Sequence, residues 1–317
     1  MAVEPQTELT VRVADFLKAN IAPVSPDSAV LWVGVSGGVD SIALLDLMSR
    51  AQVPQGWRVA AVHANHALSP EADAWQTHCA HVAATLGIEF HTNKLNVPTD
   101  GNLEANAREA RYAYFRSMAA RCDVVLTAHH ADDQLETVLL KLFQGRGFTG
   151  IQAVGRTLGV SVLRPLLNVP RATLEGYCEM RGLEWIEDPS NQDQRYDRNY
   201  LRHEIVPLLK KRWPDVPGRI QRVLETSAAL VSFARREVAH RPDLCLDELP
   251  EEEGAAVILI RLYLENAGHF HATDAALAAF LVRARAGQRA RLHVAGASLV
   301  VRKGKLMIDQ EDIRERR

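Results

Sequence analysis

No apolar run in these 317 residues approaches the ~18 that a membrane-spanning helix needs. The first ten residues lack a basic, apolar and small-residue succession, so no secretory signal is expected. Cysteine is scarce: Cys79, Cys122, Cys178 and Cys245 stand far apart, without a C-x-x-C pair. That spacing argues against a disulfide framework or a structural zinc site and fits buried thiols in a reducing, cytoplasmic setting. Repeats and low-complexity tracts are missing. Strong net charge is missing too: 37 Lys+Arg against 39 Asp+Glu leave -2, which by itself argues against a nucleic-acid partner. What remains, 47% hydrophobic and 24% charged residues, is globular composition and excludes disorder, collagen and coiled coil. The length suits one large domain or two, with ample chain for a core.

The near-neutral sum hides two unlike parts. Residues 195–317 carry 22 basic and 17 acidic side chains, a balance of +5, whereas residues 1–194 stand at -7. The two parts are suited to different partners.

Short Val/Ile-rich runs recur every ~30 residues in the first part, at Ala29–Val35, Val59–His63, Ile88–His91, Val124–Ala128 and Val160–Leu163. Helical periodicity fills the gaps, as in Ile42–Met48, Ala72–Leu86 and Leu103–Ala120. This alternation predicts an α/β fold with a parallel, five-stranded, doubly wound sheet, whose ligands gather at the carboxyl ends of the strands. From Tyr200 to about Ala239 the pattern is helical, with breaks at Trp213-Pro214 and Pro217-Gly218. Arg241 to Gly254 looks like a linker. Two helices, Ala255–Asn266 and Thr273–Ala284, and a meander from Arg291 to Asp309 follow. The expected organisation is a catalytic domain over 1–194, a basic helical linker over 195–240 and a small α+β domain over 241–317.

The strongest local signal is Ser36-Gly37-Gly38-Val39-Asp40-Ser41, between the first strand and the next helix. Adjacent glycines let the backbone approach an anion, and the helix start supplies free N–H groups and the positive end of a dipole. Ser36 and Ser41 add hydroxyls. Asp40 would repel a phosphate directly, so it makes sense as a ligand of Mg²⁺ bridging to pyrophosphate. The Gly-Lys-Ser/Thr ending of a Walker loop is lacking.

Further polar clusters fall at other strand ends. His63 and His66, in His63-Ala64-Asn65-His66, suit a nucleotide-pocket lining better than a metal site. Asp132, Asp133 and Glu136 crowd one stretch after the fourth strand, a costly collection without a cationic partner. With a helix starting near Asp132, Asp132 and Glu136 share a face and Asp133 points elsewhere. One carboxylate can join Asp40 on the metal while the others attract a cation. Arg108 and Arg111 form a close pair on a predicted helix, suited to a solvated face or to phosphate contact.

With these blocks assembled, residues 30–210 resemble the tRNA(Ile)-lysidine synthetases of the PP-loop ATP pyrophosphatase superfamily. The resemblance rests on the Ser36–Ser41 loop, on His63–Leu68, and on the A-R-x-x-R-Y core within Asn106–Tyr112. It includes A-H-x-x-D-D-Q-x-E-T over Ala128–Thr137 and Arg164-Pro165-Leu166-Leu167. It extends through Trp185, Asp188, Ser190-Asn191, Arg198-Asn199, Arg202 and Pro207-Leu208. It implies a PP-loop, adenine-nucleotide α-hydrolase-like sheet and modification of the wobble cytidine of a CAU-anticodon tRNA(Ile). ATP adenylates the base at its C2 oxygen with release of pyrophosphate. The ε-amine of free L-lysine then displaces AMP to form lysidine.

The resulting assignments are these. ATP would meet Ser36, Gly37, Gly38, Val39, Asp40, Ser41 and His63, with Mg²⁺ on Asp40 and Asp133. Asp40, Arg108, Arg111, His129 and Asp133 would serve the chemistry, and Asp132 and Glu136 would receive lysine. Arg195, Arg198, Arg202, Lys210, Lys211 and Arg212 would track the tRNA backbone. The implied enzyme is cytoplasmic and makes no membrane contact, and a homodimer is compatible with the sequence. Two departures from the family stand out: a shorter glycine-spaced run around Gly145–Gly150, and one small C-terminal domain where longer members carry two.

Three other readings compete. A tRNA thiolase generally needs reactive, often paired cysteines, which this chain lacks. A metal-dependent phosphohydrolase leaves the Gly-Gly loop unexplained. A binding protein with a dead site conflicts with intact Asp40, Asp133 and loop serines.

Overall fold

The computed structural model describes residues 5–25, 29–101, 103–120, 122–145, 150–239, 244–267, 272–294 and 297–310. The glycine-spaced run lies partly outside the described residues, at 146–149. Two compact units divide the chain, Met1–Leu224 and Glu225–Arg317. The first therefore runs thirty residues past the expected boundary at 194, and the basic segment up to Leu224 belongs to it rather than forming a linker of its own.

In the first unit the elements alternate: α1 (Pro5–Asn20), β1 (Ala29–Gly34), α2 (Val39–Arg50), β2 (Trp57–Asn65), α3 (Ala72–Thr85), β3 (Glu89–Lys94), α4 (Leu103–Met118), β4 (Val124–Leu126) and α5 (Ala131–Phe143). Then come β5 (Val154–Thr157), β6 (Val160–Leu163) and α6 (Arg171–Arg181). All five expected strands are present, in the order β3-β2-β1-β4-β6, with parallel pairing throughout. A sixth, unexpected strand, β5, closes the edge antiparallel to β6. The two are joined through Leu158 and Gly159, both at positive φ (46° and 86°), as a two-residue hairpin requires.

Residues of β1 alternate between two cores, as the period-2 geometry of a doubly covered strand demands. Leu31 and Val33 pack with α1, α2, α3 and α6 through Leu17, Ile42, Leu45, Cys79 and Tyr177. Val30 and Trp32 face the opposite way, onto Tyr112 and Phe115 of α4. Burying Leu31 and Val33 completely contributes about 1.5–3 kcal/mol each. Two buried carboxylates pin this frame. Asp123 accepts from Val30 N–H and the Trp32 indole, and Asp46 on α2 accepts from Tyr177 Oη of α6, each partner within 2.9 Å.

After α6 the chain runs through α7 (Asp197–Tyr200), a wide π turn over Leu201–Ile205, α8 (Val206–Arg212) and α9 (Val216–Ala239). The π turn precedes Pro207, which has no N–H to continue the ordinary bond pattern. Trp213-Pro214 does break the helix, but Pro217-Gly218 sits inside the first turn of α9, where proline is tolerated.

The second unit packs α10 (Glu253–Asn266) and α11 (Asp274–Arg285) on an antiparallel sheet in the order β7-β10-β9-β8. Its strands are β7 (Leu244–Cys245), β8 (Arg291–Val294), β9 (Ala297–Arg302) and β10 (Lys305–Gln310). β7 lies within the stretch expected to be a linker. Among the described residues no helix is long and apolar enough to cross a membrane.

Candidate active site at the carboxyl edge of the sheet

Between β1 and α2 the loop turns at Gly37, whose φ of +95° lies where side chains are strained. Its inward N–H groups converge: Ser36 N and Gly37 N donate to Ser41 Oγ at 3.1 and 3.2 Å, and Ser41 Oγ donates to Gly38 O at 2.9 Å. A single hydroxyl oxygen thus meets two backbone donors at the start of α2, the arrangement that receives a phosphate oxygen. Val39 is buried beneath the loop, and Ile186 N donates to Gly37 O at 2.9 Å from behind. His63 stands beside this loop, bonded through Nδ1 to Val35 O at 2.8 Å. Burial holds its pKa below the ordinary value, against the pull of that bond.

Asp40 projects from the first turn of α2 toward the start of α5. Its Oδ2 lies 3.5 Å from His130 Nε2, which is equally far from Asp133 Oδ2. Burial opposes a proton on His130, but the bond to Asp40 and the charges of Asp133 and Asp40 prevail and raise its pKa. Asp133 also accepts the backbone N–H of His130 at 3.0 Å, closing the first turn of α5.

For a divalent cation the donor set is partly suitable. Asp40 Oδ1 is buried with no hydrogen-bond partner, an uncommitted hard oxygen. Asp133 has both oxygens engaged, by His130 N–H and Arg198. Among the described residues no group of three or more His, Cys, Asp or Glu can hold a metal by itself. A cation here would complete its shell with phosphate oxygens and water, as Mg²⁺ commonly does.

The acidic stretch is arranged differently from expectation. Asp132 and Glu136 contact different cations. Asp132 Oδ2 accepts Arg171 N–H at 2.9 Å, while its Oδ1 meets the Lys210 ammonium. Asp133 and Glu136 share Arg198 instead, at 2.8 Å each, and Arg202 adds a two-pronged contact to Glu136 at 2.7 and 2.9 Å. Burial resists ionisation of Asp132 and Asp133, yet the cations and N–H groups beside them hold both pKa values below the ordinary range.

That arrangement also revises the basic track. Arg198, Arg202 and Lys210 turn inward onto α5, where together with His130 they supply counter-charge to three buried carboxylates. Arg195 is exposed but folded back onto Asp193, Arg212 lies 5.6 Å from the Trp213 ring, and Lys211 is exposed.

On the other flank, Arg108 and Arg111 lie 5.0 and 5.6 Å from the ring of buried Tyr112. His129 bonds Thr127 Oγ1 through Nδ1 at 2.9 Å. Burial, then the charges of Arg164, Arg198 and Arg111, outweigh Asp133 and push its pKa down to about 3. Burial, Arg111 and His63 take His66 down to about 4. Both imidazoles are neutral. The reading of the sequence gave no role to His130 or Arg164. The signal for Arg164 was present, a charged residue directly ending an apolar strand.

Comparison with known proteins agrees with this geometry. The family model of the PP-loop domain matches residues 5–209. The tRNA(Ile)-lysidine synthase of Legionella pneumophila (strain Paris) is 45% identical over 195 residues, 61% of this chain and 45% of that protein. That of Alkalilimnicola ehrlichii is 43% identical over 236 residues, covering 71% and 53%. That of Actinobacillus pleuropneumoniae serotype 3 is 38% identical over 267 residues, covering 80% and 63%. The chain thus spans roughly half of the curated relatives' length. Among solved structures the U34-tRNA thiolase NcsA from Methanococcus maripaludis, with its [4Fe-4S] cluster, shares the fold at a TM-score of 0.56 and 19% identity. The match covers 70% of this chain and 79% of that one.

Proposed function

Since the chain belongs to the PP-loop domain family, we propose that its first unit is the catalytic part of a tRNA(Ile)-lysidine synthase. It uses ATP to join free L-lysine to C2 of the wobble cytidine of a CAU-anticodon tRNA(Ile). The observation that carries this reading is the 38–45% identity to relatives of that name over 61–80% of this chain.

Residues present at the sheet edge suit both steps. In the first, the cytidine C2 oxygen attacks the ATP α-phosphate and pyrophosphate leaves. Ser36 N–H, Gly37 N–H and the Ser41 hydroxyl hold the leaving phosphates, and the α2 dipole opposes their charge. Asp40 would hold Mg²⁺, with Asp133 next to it across His130, and the ion would supply charge neutralisation at the pyrophosphate. In the second step the lysine ε-amine attacks C2 and AMP leaves. The carboxylates opening α5 (Asp132, Asp133 and Glu136) receive the cationic amino acid by exchange with the chain's own cations. Arg108, Arg111 and neutral His129 line the opposite flank. Arg195, Lys211 and Arg212 remain available to RNA phosphates.

The test is direct. The protein is mixed with ATP, Mg²⁺, labelled lysine and a CAU-anticodon tRNA(Ile) transcript, and label retained on RNA is measured. Incorporation that needs all four components is expected. AMP release without lysine incorporation, or incorporation that needs a sulfur donor instead, refutes the assignment.

A further inference from the structure

Arg164 closes β6 with 5% exposure and has no part in the reading above. Its terminal nitrogens donate to Gln152 O at 2.7 Å and Thr157 Oγ1 at 3.2 Å, while its buried Nε is bonded to nothing. Arg164 and Arg111 form no salt bridge among the described residues. Both pack around Tyr112: Arg111 over the ring and Arg164 beside the hydroxyl, a polar neighbour additional to the Gln152 carbonyl and Thr157 hydroxyl. His66 Nδ1, within electrostatic reach of Arg111, is another buried polar atom without a partner. Two buried guanidiniums with no carboxylate partner among the described residues, beside a hydroxyl and an imidazole, form a site whose charge suits an anion.

The phosphate loop serves a different anion. It opens α2, which packs in the core with α1, α3 and α6, whereas Tyr112 packs in the core on the opposite face of the sheet. A phosphate at Arg164 is therefore not one cradled by Gly37 and Ser41. Adenylation of an RNA base requires that base at the carboxyl edge between the two faces, and its own strand brings a phosphodiester with it. We propose that Arg164, together with Arg111, binds the phosphodiester beside the nucleotide being modified and so holds its base over ATP. This rests on the function proposed above and names the residues that would seat its RNA substrate.

Binding of a synthetic CAU anticodon stem-loop is measured by fluorescence anisotropy against salt, for the intact chain and for Arg164→Gln. Mg·ATP and inorganic pyrophosphate affinities are measured alongside. Arg164→Gln is expected to weaken RNA binding about tenfold and lower the salt slope by about one, with Mg·ATP and pyrophosphate binding unchanged. A stem-loop carrying a neutral methylphosphonate beside the target cytidine should lose the same affinity for the wild-type chain and none for the variant. An unchanged slope in a folded variant overturns the proposal. So does an equal loss of pyrophosphate affinity, which would assign the site to the nucleotide. Arg164 also ties down the β5–β6 hairpin; if Arg164→Gln unfolds, the methylphosphonate stem-loop decides on the wild-type chain, and undiminished affinity overturns the proposal. Lysine incorporation is scored separately: its absence from a wild-type chain with the full salt slope sinks the ligase reading and leaves the phosphate site standing.

Discussion

Replacing Glu136 by Gln separates a substrate-binding carboxylate from one that holds its own fold together. Glu136 is 2% exposed and accepts three bonds of 2.7–2.9 Å from Arg198 and Arg202. Removing one member of a fully buried ion pair costs roughly 3–5 kcal/mol, chiefly because the partner stays buried and uncompensated. Here the two arginines are 33% and 23% exposed, and Arg198 keeps Asp133, so water and the remaining carboxylate recover part of that loss. A destabilisation of about 2–3 kcal/mol results. At roughly 2–4 °C per kcal/mol for a unit of this size, Tm should fall by about 5–10 °C. Arg202→Gln should cost less, since Arg198 still covers Glu136. The assay is thermal unfolding of each variant by circular dichroism, paired with lysine KM in the incorporation reaction. A Glu136→Gln protein with unchanged Tm and a raised lysine KM would refute the reasoning. It would mean that the arginine contacts contribute nothing and the carboxylate is kept for substrate.

The remaining expectations test the loop, the frame and the histidines. Gly37→Ala places a Cβ at φ +95° with ordinary contacts of 3.4 Å to Cys79 and Ile186, so the cost is backbone strain of about 1–2 kcal/mol. ATP affinity should fall at least tenfold by calorimetry as the loop N–H groups turn away, and an unchanged Kd contradicts the phosphate role. Asp46→Asn weakens the Tyr177, Arg50 and Arg181 contacts of a fully buried carboxylate. It should destabilise by about 2–4 kcal/mol in urea while folded protein keeps its ATP affinity. His129 and His66, with folded pKa values of about 3 and 4, bind fewer protons folded than unfolded below the ordinary 6.5. Their contribution to stability is complete above that value and falls as pH drops toward the folded values, by at most ~1.4 kcal/mol per unit for each and less for half-hydrated His66. Asp132 and Asp133, with lowered pKa values, add loss in the same direction at more acidic pH, whereas His130 contributes below 6.5 and loses that as pH rises through its raised value. Urea melts at successive pH values should show a shallower acid slope for His129→Phe than for wild type; equal slopes refute the neutral-histidine assignment.

Parallel strands were legible because both faces of β1 are buried, so Val30 to Val33 reads as an unbroken apolar run bounded by turns. The phosphate loop was legible because only glycine tolerates the φ at Gly37, and the strand and helix on either side are local features. β5 was not. Its turn is Leu158-Gly159 rather than Asn-Gly, and Val154–Thr157 is half exposed, so neither turn chemistry nor hydrophobic run announces it. α1 was passed over although Leu9, Val13 and Leu17 repeat at i, i+4 and i+8 and are buried. The first compact unit extends past 194 for a longer-range reason. Basic residues at 198, 202 and 210 read as a solvent-facing or RNA-facing track, and only the tertiary fold brings them to α5.

That last point changes the meaning of the charge asymmetry between the two parts of the chain. From sequence, the carboxylates of α5 and the arginines after residue 195 belong to different ligands, one cationic and one anionic. In the fold they belong first to each other: Asp132 with Lys210, Asp133 with Arg198, Glu136 with Arg198 and Arg202. Periodicity cannot reveal this, because the pairs are more than sixty residues apart and each partner alone looks like a binding group. Energetically the pairing resolves the cost of gathering three buried acids in one helical turn. It also sets a condition on the proposed function. A lysine ammonium arriving at α5 displaces an internal cation, and an RNA phosphate reaching Arg198 or Lys210 releases an internal carboxylate. Either exchange leaves the opposite member uncovered unless the second ligand takes it up. Lysine and RNA should therefore each tighten the other's binding, with a coupling that Lys210→Ala diminishes, readable as the shift in lysine Kd when the stem-loop is added.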